Sequence, residues 1–121
     1  MSVVFRGAMF RLLVIALIMA LSCEVGFAED INSANYVMKG CRSFASEQRN
    51  TDYFDQGYCA GLLVGHANAD PMICRPRGVT NFQTARVVVQ YIDQRPARLH
   101  ENFQKLASEA LRLTWPCKAQ Q

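Results

Sequence analysis

Thr80-Asn81-Phe82-Gln83-Thr84-Ala85-Arg86-Val87-Val88-Val89-Gln90-Tyr91-Ile92 is the stretch that decides the fold, because it can be read two ways. Three consecutive valines suit a buried strand, since β-branched side chains pack well on a pleated surface. The four residues ahead of them point elsewhere. Thr80 and Gln83 have the spacing of a capping box, in which each side chain satisfies a backbone N–H left free at a helix start. Phe82, Ala85, Val89 and Ile92 then recur at helical intervals. No second clear strand is available to pair with this one, so the segment reads as a helix.

Toward the C-terminus, Pro96 stops this helix and is well placed to open the next, where its missing N–H is no loss. Leu99, Phe103, Leu106, Ala110 and Leu113 make an apolar stripe that runs to Trp115-Pro116-Cys117. Upstream, the segment from Asn68 to Val79 holds Pro71, Pro76 and Gly78 and reads as a structured loop. Before it, Asn50, Thr51 and Asp52 are all good caps for a helix carrying Phe54, Tyr58, Leu62 and Gly65 to about Ala67. Gly57, Gly61 and Gly65 recur every fourth residue on that helix. Each interior glycine costs a helix about 1 kcal/mol against alanine, so the stripe is expected to admit another backbone, first of all a neighbouring helix of the same fold. A contact between two copies of the chain leaves the same trace. The first helix, capped by Asn32 or Ser33, sets Val37, Cys41 and Phe44 on one face and ends near Ser46.

The expected fold is all-α, a small four-helix domain of two antiparallel hairpins. Half of the 121 residues are hydrophobic, but that figure is raised mainly by the first 28. Arg6 and Arg11 mark a short basic start, Leu12 to Leu21 is an apolar run, and Gly26 and Ala28 offer small residues for cleavage before Glu29. This is the pattern of a secretory signal peptide over residues 1–28, with one domain over residues 29–121 and a periplasmic destination. The apolar run is too short to span a bilayer. Cys23 leaves a lipoprotein alternative, since Ala20-Leu21-Ser22-Cys23 loosely resembles a lipoprotein cleavage sequence with Ala20 in place of the usual leucine.

Once Cys23 leaves with the leader, Cys41, Cys59, Cys74 and Cys117 remain, and an even count in a small exported domain reads as two disulfides. Zinc is the competing reading, but there is no C-x-x-C pair, and neither His66 nor His100 has finger-like spacing from a cysteine. Two hairpins bring Cys41 near Cys59 and Cys74 near Cys117, with the other two connectivities still open. By loop entropy these crosslinks stabilise a domain of this size by roughly 3 and 4 kcal/mol. The leader also removes Arg6, Arg11 and Glu24, leaving a net charge of +2 against +3 for the whole chain. That excess is too small and too scattered to argue for nucleic acid.

No catalytic constellation emerges. Cys59 and His66 lie two helical turns apart, about 10 Å of rise, too far for a hydrogen bond, and a disulfide at Cys59 removes its thiol altogether. Asp52 and Asp55 sit in a first helical turn, where they complement the helix dipole. Gly78 stands alone and makes no phosphate loop. The reading is a binding protein and not an enzyme, with no catalytic, cofactor or metal site.

Larger patterns carry a resemblance. Cys74-Arg75-Pro76-Arg77-Gly78-Val79-Thr80 with Gln83, then Val87-Val88-Val89, Tyr91-Ile92, Pro96, Arg98-Leu99-His100, Ala110-Leu111 and Trp115-Pro116-Cys117 resemble the Rap/Tai family of immunity proteins. Gly40-Cys41 and Tyr58-Cys59-Ala60-Gly61 fit the same pattern, so the similarity spans nearly all of residues 29–121. The resemblance implies a helical, dimeric, periplasmic protein that plugs the cysteine-histidine cleft of a peptidoglycan amidase delivered by type VI secretion. It transfers the scaffold better than the contacts. Exposed polar groups of the 68–77 loop, Asp70, Arg75 and Arg77, are the expected partner surface, weighed against solvated loop charge. Two other functions use a similar frame: a small periplasmic acid-stress chaperone, and an envelope housekeeping protein that keeps the fold alone.

Overall fold

The computed structural model describes residues 28–47 and 52–118, so the expected leader, apart from Ala28, lies outside the described residues. Four α-helices follow in order: α1 (Ala34–Ala45), α2 (Tyr53–Ala69), α3 (Asn81–Asp93) and α4 (Phe103–Thr114), with a 3-10 turn at Pro96–Arg98. Among the described residues there is no strand, and only isolated bridges join Ser33 to Asn102 and Ile73 to Pro116. None of the described helices is long and apolar enough to cross a membrane. The all-α, four-helix expectation holds.

The helix starts follow local chemistry. Ser33 Oγ accepts from the Tyr36 N–H at 3.3 Å, which makes it the cap of α1. At α3 the capping box is complete, with Gln83 N donating to Thr80 Oγ1 at 3.1 Å and Thr80 N donating to Gln83 Oε1 at 2.8 Å. Asp52 precedes α2 but makes no side-chain cap bond. Its carboxylate instead pairs with Lys39 at 3.0 Å.

The start of α4 corrects the sequence reading. Pro96 opens only the 3-10 turn, and α4 begins at Phe103 under an Asn102 cap whose Oδ1 accepts from Lys105 N at 3.1 Å. The reason is tertiary. Ala34 N donates to Glu101 O at 2.9 Å and Asn35 N to Leu99 O at 2.8 Å, so these carbonyls serve the first turn of α1 and are turned away from an α4 ladder. Arg98 braces the turn by pairing with Glu101 at 2.7 Å and Glu109 at 2.6 Å, and Glu109 also accepts from Tyr91 Oη at 2.8 Å.

The core gathers Val37, Met38 and Cys41 of α1, Cys59 and Leu63 of α2, Ala85, Val88 and Ile92 of α3, and Phe103, Leu106, Ala107, Ala110 and Leu111 of α4. Two faces differ from the sequence reading. On α3 the inward valine is Val88 and Val89 is only half-buried. On α2 the inward face is Cys59, Leu63 and Ala67; of the expected line, Tyr58 and Leu62 are half-buried against the core, whereas Gly65 is exposed and Phe54 is 74% exposed. The disulfide between Cys41 and Cys59, both fully buried, holds that rotation.

The glycines are corrected in the same way. Among the described residues a Cβ at Gly57, Gly61 or Gly65 would meet nothing within 4 Å, so none of the other described helices approaches them. The close approach is at Gly40 of α1, where a Cβ would lie 2.1 Å from the Asp55 carbonyl oxygen. Gly40 lets α1 and α2 touch backbone to backbone one residue before Cys41 makes its crosslink.

Candidate partner-binding surface

The loop from α2 to α3 is built from its own sequence and then fastened to the end of α4. Asp70 closes α2, and its Oδ1 accepts from the Met72 N–H at 3.0 Å, a local turn that aspartate side chains favour. Farther on, Gly78 has φ 88° and Val79 N donates to Pro76 O at 3.3 Å, a turn that needs a residue free of Cβ strain. Two links then join loop and helix end: the Cys74–Cys117 disulfide, and the Ile73–Pro116 bridge, in which Cys74 N donates to Trp115 O at 2.9 Å.

An ion pair with a buried carboxylate adds a third link. Asp70 Oδ2 accepts from Arg112 Nε at 2.9 Å and from Ser108 Oγ at 3.1 Å, and its side chain is 4% exposed. Burial alone would push this carboxyl up. The Met72 N–H, Arg112 and Ser108 together overcome it and hold the group below its ordinary value of 3.8. His66 Nε2 also meets Ser108 Oγ. Serine, histidine and aspartate are thus neighbours, but the hydroxyl lies between the other two and donates its hydrogen bond to the carboxylate. A serine nucleophile needs the histidine in the middle.

What reaches solvent here is apolar and cationic. Met72 is 57% and Leu113 71% exposed, Trp115 is half-buried, and Arg77 and Lys118 are exposed. Arg112 keeps 45% of its side chain open while bonded to Asp70. Residues 68–79 and 112–118 hold four cations, Arg75, Arg77, Arg112 and Lys118, and one acid, the buried Asp70. This end is therefore +3, more than the +2 of everything after residue 28, and the rest of the molecule is slightly acidic. Methionine, tryptophan and arginine over a rigid backbone are the composition and the pre-organisation of a protein-binding patch.

The span from the α1 cap to the last cysteine, residues 33–117, matches the family model of the Rap1a immunity proteins. The chain belongs to the Rap1a immunity protein family. No curated protein and no solved structure matches it. For a Rap1a immunity protein the expected partner is a toxin effector.

Within this Rap1a protein the three expected contact residues part ways. Asp70 faces inward and holds the loop. Arg75 is half-buried, with Nη1 donating to Asn81 Oδ1 at 3.2 Å and Thr84 Oγ1 at 3.1 Å. Arg77 alone of the three is exposed, at the tip of the turn. Sequence reasoning passed over Met72, Arg112 and Leu113. Leu113 sits on the helical stripe read as core, and Met72 is a lone apolar residue with no periodic signal. The two crosslinks are the expected pairs, Cys41 with Cys59 and Cys74 with Cys117, so the thiol weighed against His66 is not free. Among the described residues no three His, Cys, Asp or Glu side chains gather to hold a metal ion.

Proposed function

We propose that this protein is a periplasmic immunity protein that binds a peptidoglycan amidase effector of type VI secretion and inhibits it by covering its active-site cleft. The supporting observation is the platform at the end of α4: a loop held by a disulfide, a bridge and the Asp70–Arg112 ion pair, presenting Arg77, Met72, Leu113 and Trp115. Its shape is set before the partner arrives, so little conformational entropy is lost on binding. Inhibition then needs only occlusion of the cysteine-histidine cleft, and no chemistry from the immunity protein. The leader delivers the chain to the compartment where both the disulfides and the amidase's substrate exist. The reading includes a homodimer as the working form.

The test is titration of the disulfide-bonded protein into each exported cysteine-histidine amidase of the organism, following peptide release from purified peptidoglycan. Activity that falls to zero near stoichiometry supports the reading. Full activity of every such amidase in excess immunity protein overturns it. Arg77→Glu should weaken inhibition by about tenfold or more, the effect of losing an anchor, without changing the melting temperature.

A further inference from the structure

Once ion pairs are set aside, the remaining positive charge of the described residues gathers at one end. Away from the platform, Lys39, Arg42, Arg86, Arg98 and Lys105 each hold a carboxylate at between 2.6 and 3.0 Å, and Arg95 lies over the Tyr91 ring at 3.7 Å. On the platform the one carboxylate, Asp70, is buried and spent on Arg112. Among the described residues no carboxylate pairs with Arg75, Arg77 or Lys118. Arg75 donates to the neutral Asn81 and Thr84, and Arg77 and Lys118 are exposed.

We propose that the partner covers this platform with an acidic face, its carboxylates set opposite Arg77 and Lys118 around an apolar pocket that takes Met72 and Leu113. The proposal rests on the reading above for the partner's identity and adds the chemistry of the face it presents. Contact with a protein strips water from the exposed cations, and only opposite charge offsets that loss. A basic face is repelled, and so is this same face on a second copy. Number and shape choose among anionic partners. Near an anionic bilayer each lysine or arginine raises binding only about fivefold, so three give roughly a hundredfold, short of stable attachment. Met72 and Leu113, 57% and 71% exposed, stand on backbone fixed by a disulfide and an ion pair. A protein pocket matches such a fixed shape, whereas a fluid headgroup layer does not select for it. The two kinds of side chain then have different roles. The platform is +3 and the rest of the chain after residue 28 is slightly acidic, so Arg77 and Lys118 turn this end toward an acidic surface during approach. Met72 and Leu113 set how long the complex lasts.

Association kinetics test this with the disulfide-bonded protein and whichever amidase it inhibits. The association rate constant should fall about tenfold or more between about 20 mM and about 300 mM sodium chloride. Arg77→Glu combined with Lys118→Glu should lower it about tenfold at the lower salt and remove most of the salt dependence, whereas Arg77→Lys should match the wild type. Leu113→Ser should raise the dissociation rate constant about tenfold and leave association unchanged. An amidase that is inhibited, but whose association is indifferent to salt and to the charge reversals, overturns the proposal and leaves the immunity role standing. Co-sedimentation of the wild type with phosphatidylglycerol vesicles at about 150 mM salt, lost in the reversed variant, overturns it in favour of a lipid surface. Failure to inhibit any amidase removes the immunity reading and the proposal with it.

Discussion

Asp70 and Arg112 lie 42 residues apart in the chain and share a bond of 2.9 Å between Oδ2 and Nε, with the carboxylate almost wholly buried. This pair fastens the end of α2 to α4 directly beneath the exposed loop. Asp70→Asn keeps an acceptor for the Met72 N–H but removes the charge opposite Arg112. The expected cost is about 2 kcal/mol in urea unfolding, typical of a lost charge-assisted hydrogen bond. Faster hydrogen exchange at residues 72–74 should accompany it. A midpoint equal to wild type would mean that the disulfide alone holds the loop.

Gly40→Ala should destabilise the fold although alanine is the better helix former. The added methyl group would stand 2.1 Å from the Asp55 carbonyl oxygen, which is backbone and cannot rotate aside. Overpacking of this kind costs about 1–3 kcal/mol and outweighs the propensity gain of about 1 kcal/mol. Thermal unfolding of the variant checks the sign, and an unchanged or higher melting temperature would refute the close approach of α1 and α2.

The two disulfides should open in order. Cys41 and Cys59 are fully buried, whereas Cys74 is exposed and Cys117 half-buried, so a small thiol reaches the second pair first. Alkylation and mass spectrometry during dithiothreitol treatment should trap a species with Cys74 and Cys117 modified and the helices intact. Serine replacements of each pair should cost roughly 3 kcal/mol for the 18-residue separation and 4 kcal/mol for the 43-residue one. Reduction of both pairs in a single step would contradict the ordering.

Acid should unfold the protein progressively below pH 4.5. Arg98 first, and then Lys105, holds Glu101 down to about 2 from its ordinary 4.5, against the opposing effect of burial. Arg98 likewise lowers Glu109, and Asp70 is lowered at the loop. A carboxyl depressed in the folded state binds more protons when unfolded, so its stabilisation is complete above the unfolded value and is lost as pH falls through the folded one. Urea midpoints should therefore be flat above pH 4.5 and decline toward pH 2, with Glu101→Gln lowering the plateau and flattening the decline. A wild-type midpoint unchanged across that window would refute the assignment.

The parts legible in the sequence were those written in neighbouring residues or in a count. Thr80 and Gln83 announce α3 because a capping box closes over four residues, and it outweighed the strand preference of Val87-Val88-Val89. The crosslinks followed from four cysteines placed on two hairpins. Less was legible at the surface. Asp70, Arg75 and Arg77 look equivalent in a polar loop, yet Asp70 meets Arg112, Arg75 meets Thr84 and only Arg77 is left to solvent. Leu113 extends an apolar stripe, yet α4 ends one residue later and Leu113 is left 71% exposed.

By itself, then, the sequence determined four helices, the cap that starts α3 and the family, and it favoured the two cysteine pairs that form while leaving the other connectivities open. These depend on bonds within a few residues, on hydrophobic periodicity, or on topology, which a chain carries in one dimension. Only the tertiary structure decided which side of α2 is buried, that Gly40 and not Gly57, Gly61 or Gly65 takes the close approach, and where α4 begins. Each of those outcomes was set by a distant partner: Cys41 for the face of α2, the Asp55 backbone for Gly40, and the free N–H groups of Ala34 and Asn35 for the carbonyls ahead of α4. Burial and helix ends are properties of such meetings, and no local pattern in the sequence encodes them.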